Sequence, residues 1–226
     1  MKRVPGLLAA SALSFLWAAP PAKFQPPDSM TKMVVRLMGP GIKPNSFSAL
    51  PKTIYRAGPH YARMEDPPDA RQQIQKLMII AEPHAYSINL IDKKGTHAVD
   101  QGNVNDLHLP VVLPFDPKHQ LGKLDRLEFG DEEDFFKDAG ATPESGPTIN
   151  AKPTDALRLK LPVGSALLVL RAGTHEPVFL SWQMKEGTYK YEYIEYEDMP
   201  FDPSLFTKPA GIIYKEMPTD KGGEVG

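Results

Sequence analysis

Four short runs in which apolar and polar residues follow a regular pattern lie between residues 156 and 206, with turn signals between them. The first and third runs alternate apolar with charged or polar positions, whereas the second, at 166–171, is apolar on both faces. A period of two is typical of a half-buried β-strand. The stretch is therefore predicted to form an antiparallel meander.

An aromatic row marks the fourth run. Tyr189, Tyr191 and Tyr193 alternate with charged residues, and Trp182 lies on the apolar face of the preceding run. Beyond Tyr193 the apolar residues switch to the opposite phase, which predicts a β-bulge at that point or a change of environment along the face. The row either packs as core or lines a concave surface that holds an apolar ligand, and the pattern is compatible with both.

The rest of the chain adds further strand-like runs and one short helix. The runs occupy residues 30–38, 53–57, 60–65, 75–81, 85–91 and 96–100. Residues 131–139 begin with acids and stop at Gly140, which predicts a helix. The irregular stretch 102–149 is a candidate lid or cover. With 24 prolines, the chain is poorly suited to an all-helical fold.

The first 22 residues have the layout of a secretory signal peptide: a short basic start, an apolar stretch and small residues at the end. The apolar stretch is shorter than the roughly 20 residues that span a bilayer, which disfavours a membrane anchor. We expect a linker at 23–29, a folded domain at 30–215 and a flexible tail at 216–226. The mature protein is expected to be soluble in the periplasm or the medium.

Composition and motifs disfavour several classes of function. The chain has a net charge of −2 and no basic patch with interleaved aromatic residues, so nucleic-acid binding is not expected. There is no cysteine, hence no disulfide and no acylated N-terminal cysteine. Neither a G-x-S-x-G elbow, a Walker A loop, an H-E-x-x-H helix nor a C-x-x-C pair occurs. We therefore predict no enzymatic activity and no cofactor.

A metal site is also disfavoured. None of the six histidines lies within four residues of another, and His97 with Asp100 is the first pair to inspect. The acids at 131–134 could serve as a general acid and base or as calcium ligands, but a solvated helix start is the simpler interpretation.

The meander and the segment that follows it, Met199-Pro-Phe-Asp-Pro-Ser-Leu-Phe-Thr-Lys-Pro-Ala-Gly211, resemble the C-terminal part of the LolA-like superfamily, the fold of periplasmic lipoprotein carriers. The turn within 168–177 is similar as well. The resemblance covers roughly residues 30–215. It implies a mainly β, α+β fold, in which a strongly curved antiparallel sheet forms an incomplete half β-barrel with short helices or loops as a lid.

The resemblance also implies an acyl-chain pocket. Its lining would consist of Leu157, Leu159, Leu180, Trp182, Met184, Tyr189, Tyr191 and Tyr193. Its lid or plug would consist of Val111, Val112, Leu113, Phe115, Phe201, Leu205 and Phe206.

The resulting hypothesis is an exported, monomeric, non-enzymatic protein that binds or carries a lipid or lipoprotein acyl chain, with an envelope protein as a possible further partner. The alternative is a structural or regulatory module of the same fold, whose concavity is filled by its own side chains and which acts through protein contacts. A hydrolase that uses His97 or another histidine is a third class of hypothesis.

Overall fold

A computed structural model describes residues 24–99 and 121–217. Twelve strands form one sheet. They are β1 (Ser29–Met38), β2 (Lys52–Ala57), β3 (Tyr61–Glu65), β4 (Lys76–Ala81), β5 (His84–Asn89), β6 (Lys94–Val99), β7 (Thr142–Ser145), β8 (Thr154–Lys160), β9 (Ser165–Arg171), β10 (Pro177–Met184), β11 (Gly187–Pro200) and β12 (Ile213–Glu216). One α-helix, α1 (Glu132–Asp138), and 3₁₀ turns at Phe47–Ala49, Gly122–Arg126 and Pro203–Phe206 complete the described elements.

The strand order is β12-β6-β5-β4-β3-β2-β1-β11-β10-β9-β8-β7. Strand β1 lies in the middle because it pairs with both β2 and the long strand β11, joining the two halves of the chain. The sheet is curved and is not closed into a barrel. The mainly β fold with an open, curved sheet, which the sequence predicted, is confirmed.

Two strands depart from the sequence prediction. Strand β12 pairs in parallel with β6, so the sheet is not purely antiparallel. Strand β7 was not predicted, because all four of its residues are exposed and carry no apolar alternation. The bulge predicted near Tyr193 is confirmed: Val34 pairs with Glu195 and Val35 with Tyr193, which leaves Ile194 without a register partner on β1.

Apolar side chains form continuous rows across the concave face of the sheet. In one row, neighbouring strands contribute Leu157, Leu168, Leu180, Tyr191 and Leu37, each in register with the next. A second row consists of Leu159, Ala166, Trp182 and Tyr189. Side chains in register on one face pack directly against one another, so these rows form the base of the main core.

Residues 121–141, here called the cover segment, lie over these rows. The segment contains a 3₁₀ turn and α1, which packs on β8 and β9. Its buried apolar side chains are Leu121, Leu124, Leu127, Phe129 and Phe136, and they belong to the same core as the sheet rows. The helix expected at 131–139 is thus confirmed as Glu132–Asp138.

The C-terminal segment makes separate contacts. Phe206 packs with Met30, Ala57 and Tyr61 at one side of the sheet. Further along, Tyr214 packs over a cluster built from β4 and β5 on the face opposite the main core. Within residues 24–99 and 121–217, no helix has the length and apolar character needed to cross a bilayer.

At both ends of the expected domain, residues assigned to the linker or the tail make defined contacts. Phe24, inside the expected linker at 23–29, is buried, and its carbonyl accepts a hydrogen bond of 2.6 Å from the hydroxyl of Tyr61. At the other end, Glu216 still pairs with His97 in the sheet. The signal-peptide segment, 1–22, lies outside the described residues.

Candidate functional site

The residues expected to line a pocket lie together on the concave face. Leu180 has none of its surface exposed and Trp182 only 1%. The others with little exposed surface are Leu157, Leu159, Met184, Tyr191 and Tyr193. Tyr189 is partly buried against the same core and stacks on Trp182, with ring centroids 5.9 Å apart. The alternation in the sequence therefore identified one contiguous apolar face.

The cover segment occupies the space in front of this face. The ring of Phe129 meets the ring of Tyr191 edge-on, with centroids 5.3 Å apart and planes at 83°. Phe136 has no exposed surface and belongs to the same core. The concave face is thus filled by the protein's own side chains in this conformation.

Three polar contacts also join the cover segment to the sheet. The hydroxyl of Tyr193 lies 2.5 Å from a carboxyl oxygen of Glu132. Arg56 on β2 forms an ion pair of 2.7 Å with Glu128. Outside the core, His175 lies 3.0 Å from the carboxylate of Glu133. The cover is therefore held by side chains from β11, from β2 and from the turn between β9 and β10.

The buried carboxyl group of Glu132 is the unusual member of this set. Burial raises its pKa, and the hydrogen bonds from Tyr193 and from the backbone N–H of Gly130 offset this only in part. A carboxyl group in such surroundings holds its proton more tightly than one in water. The interpretation of residues 131–134 as a solvated helix start is therefore wrong for Glu132, which is only 2% exposed.

A second polar group is buried in the same interior. The indole Nε1 of Trp182 is buried and has no hydrogen-bond partner among the described residues. Burying a polar group without a partner costs about 1–3 kcal/mol in proteins. Together with the buried carboxyl group of Glu132, it makes this core less favourable than a purely apolar one.

The residues expected to close the pocket are not brought to this face where they are described. Phe201, Leu205 and Phe206 pack with the cluster around Met30 and Tyr61 rather than with the main core. Val111, Val112, Leu113 and Phe115 lie outside the described residues.

Sequence reasoning missed the apolar side chains that do cover the face. Leu121, Leu124 and Leu127 recur every three residues, and in a 3₁₀ turn residues three apart lie on the same side. This spacing was a usable signal. Phe129 and Phe136 carried none, because neither a lone aromatic residue in an irregular segment nor one in a short predicted helix reveals what it packs against.

His97 makes structural contacts at the sheet edge. Its Nδ1 lies 2.6 Å from the carboxylate of Glu216 on β12, and its Nε2 lies 3.1 Å from Nδ1 of His84. The ring of Tyr86 stacks on it at 4.7 Å. Burial, with His97 close by, lowers the pKa of His84. Asp100, the expected partner, is outside the described residues, and among those described no three metal-binding side chains form a group.

The chain matches no protein-family model, and no curated protein matches its sequence. Similar folds do occur among solved structures. An uncharacterized conserved protein from Thermus thermophilus is 7% identical, with 84% of this chain and 91% of that protein covered, at a TM-score of 0.52. The complex of MucA and MucB from Pseudomonas aeruginosa gives 9% identity, 81% and 56% coverage, and a TM-score of 0.41.

A LolA superfamily protein from Nitrosomonas europaea is 10% identical to this chain, with 80% of this chain and 90% of that protein covered, at a TM-score of 0.35. At identities this low, structural similarity concerns the fold alone. A putative outer membrane lipoprotein-sorting protein domain from Vibrio parahaemolyticus is 8% identical, with 75% of this chain and 84% of that protein covered, at a TM-score of 0.31.

Proposed function

We propose that this protein is an exported, non-enzymatic binding protein whose concave face takes the acyl chain of a lipid or lipoprotein when the cover segment moves away. The observation that carries the proposal is the pair of apolar rows across the sheet, which the separate cover segment fills with five large side chains. Those side chains occupy the space that a bound chain would need. In this proposal, the cover segment substitutes for the ligand in the unliganded protein.

The free energy needed to displace the cover segment sets the minimum length of acyl chain that can bind. Exposing five leucine and phenylalanine side chains costs on the order of 10 kcal/mol, at about 2 kcal/mol each. An acyl chain regains about 0.8 kcal/mol per buried methylene, so about a dozen methylenes are needed to balance the loss. Association itself costs several kcal/mol more. Only long chains are therefore expected to displace the cover.

The test uses Trp182, the only tryptophan outside the expected signal peptide. Delipidated protein is titrated with fatty acids of increasing length while the emission of Trp182 is recorded. Chains shorter than about a dozen carbons should leave the emission unchanged, and those long enough to offset the association cost as well should shift it with rising affinity. Organic extraction and mass spectrometry of the freshly purified protein should release a co-purified lipid. If no chain length alters the emission and no lipid is extracted, the proposal fails.

The second candidate function is a self-filled module that acts through contacts with an envelope protein. The burial of seven of the eight residues expected to line the pocket, with only Tyr189 partly buried, favours it. In this case the cover segment is a permanent part of the core. The two candidates then differ in one measurable property, because only the first predicts that a long acyl chain competes with residues 121–141.

A further inference from the structure

A cavity lies on the outer face of the sheet, opposite the concave face. It spans β1, β9, β10 and β11 and is bounded by the turn at 149–153, with a volume of about 860 Å³. Residues that line this outer groove include Arg36, Lys152, Arg171, Phe179, Lys190 and Ile194. Successive strand side chains alternate between faces, so Phe179 and Lys190, next in sequence to Leu180 and Tyr191, lie on the opposite side from the apolar rows.

The outer groove carries more positive than negative charge. Four of its lining residues are cations, whereas Glu192 is its only lining acid among the described residues. Arg36 forms an ion pair with Glu192, and Arg171 forms one of 3.1 Å with Glu176. Within the described ranges, Lys152 and Lys190 have no ion-pair partner. A cleft lined by charges of one sign concentrates ligands of the opposite sign.

Arg36 adds a hydrogen-bond donor. Its Nε is buried and has no hydrogen-bond partner among residues 24–99 and 121–217, although its guanidinium group pairs with Glu192. The side chain as a whole is 43% exposed, so other N–H groups of its guanidinium can donate to an anionic oxygen in the groove.

The walls of the groove are partly apolar. Ile194, the bulge residue of β11, is 46% exposed, and Phe179 lies beneath the ammonium group of Lys190, which is 5.4 Å from the ring centroid. A free inorganic anion would leave this apolar surface in water. A ligand that carries an anionic group on an apolar chain would use both features of the groove.

From these contacts, the structure assigns the outer groove as a binding site for an anionic amphiphile, with its phosphate or carboxylate group against Arg36, Arg171 and Lys152 and its apolar part against Phe179 and Ile194. The site is independent of acyl binding on the concave face. The two lie on opposite sides of the sheet, and of the residues expected to line the concave face only Tyr193 also borders the groove.

The test compares three probes by isothermal titration calorimetry: octyl phosphate, inorganic phosphate and octyltrimethylammonium. Octyl phosphate should bind at one site, and its affinity should fall as ionic strength rises because the charges are partly exposed. Inorganic phosphate should bind at least about tenfold more weakly, because it lacks the apolar contact. Octyltrimethylammonium should not bind. Equal binding of octyl phosphate and inorganic phosphate, or binding of the cation, would overturn the assignment.

Variants locate the site. The double variant Lys152→Gln with Arg171→Gln alters two exposed side chains and should weaken octyl phosphate binding at least about tenfold, since each is a charged contact to the anion. The matched control, Lys185→Gln with Lys215→Gln, makes the same change in net charge elsewhere and should bind normally. Ile194→Gln should weaken octyl phosphate but not inorganic phosphate.

The emission of Trp182 separates this site from the concave face. It should stay constant during octyl phosphate binding, because the indole lies on the other side of the sheet. Unaltered affinity in the double variant, or a change in emission that accompanies binding, would reject the outer groove as the site. Neither result depends on whether long acyl chains bind the concave face.

Discussion

The carboxyl group of Glu132 on α1 lies 2.5 Å from the hydroxyl of Tyr193 on β11, and both side chains are buried. Burial raises the pKa of each group above its ordinary value. In this contact between cover and sheet, burial therefore favours the neutral form of both groups. This pair is the most direct means of testing how the cover segment is held.

Replacing Glu132 by glutamine should stabilise the protein increasingly as pH rises. The folded state keeps the proton on Glu132 at pH values where the unfolded chain, with a pKa near 4.5, has lost it. The wild type therefore loses stability as pH rises from that value towards the folded pKa, by up to about 1.4 kcal/mol per pH unit. Glutamine mimics the protonated carboxyl and does not titrate. Denaturant unfolding from about pH 4 to about pH 8 measures the difference between the two proteins.

Glu133, the next residue in the chain, provides a control in which stability changes with pH in the opposite direction. Burial alone would raise the pKa of Glu133, but hydrogen bonds from Lys137 and His175 outweigh it, and the pKa is lowered. This contribution to stability is present at neutral pH and is lost on acidification. Glu133→Gln should therefore cost about 0.2–1 kcal/mol at neutral pH and nothing in acid, as expected for an exposed ion pair. The same trend in both variants would contradict the assignment of Glu132.

Shortening Phe136 should loosen the cover and increase acyl-chain affinity. Phe136→Ala removes a fully buried ring from the contact between α1 and the sheet, and such a change costs about 3–5 kcal/mol in a rigid core. If the cover must open before a long fatty acid binds, each 1.4 kcal/mol by which the substitution destabilises the closed cover raises the apparent affinity for the fatty acid about tenfold. Phe135→Ala, which alters a partly buried ring, should have a smaller effect. Weaker binding by Phe136→Ala at an intact fold would favour the self-filled module.

Leu180→Ala should be among the most destabilising substitutions on the sheet. Leu180 has no exposed surface and lies in register between Leu168 and Tyr191, so its removal should leave a cavity and cost about 2–5 kcal/mol. Gln183 on the same strand faces the other way and is exposed, and its replacement by alanine should cost less than about 1 kcal/mol. Similar unfolding midpoints for the two variants would mean that Leu180 lines open space.

His97→Ala should release the C-terminal strand without affecting acyl binding. His97 contacts Glu216 on β12 and packs against Tyr86, so its loss weakens the edge of the sheet. Limited proteolysis should then cleave residues 209–217 faster than in the wild type, and Glu216→Ala should reproduce the effect. Complete loss of biological activity with unchanged proteolysis would instead support a metal or enzymatic role for His97.

Local sequence patterns predicted much of the fold correctly. The period of two placed Leu180 and Tyr191 on one face, the phase change beyond Tyr193 located the bulge, and the acids before Gly140 marked α1. Each of these features depends on residues within a few positions of one another, which is the range over which strand alternation and helix ends act.

The contacts made by distant residues were outside that range. His97 pairs with Glu216, which lies 119 positions further along the chain, and β12 joins β6 in parallel. The local sequence around these residues does not indicate which distant segment they contact. Phe201 and Phe206 belong to the segment that resembles a known fold, yet they pack away from the main core.

The sequence by itself determined that one face of the meander is apolar and must be buried. Only the tertiary structure decided what buries it, namely Phe129, Phe136 and the leucines of the cover segment. The physical reason is that the hydrophobic effect depends on the apolar area removed from water, whatever removes it. A ligand and a segment of the same chain satisfy an apolar row equally well, so the row alone cannot specify which of them covers it.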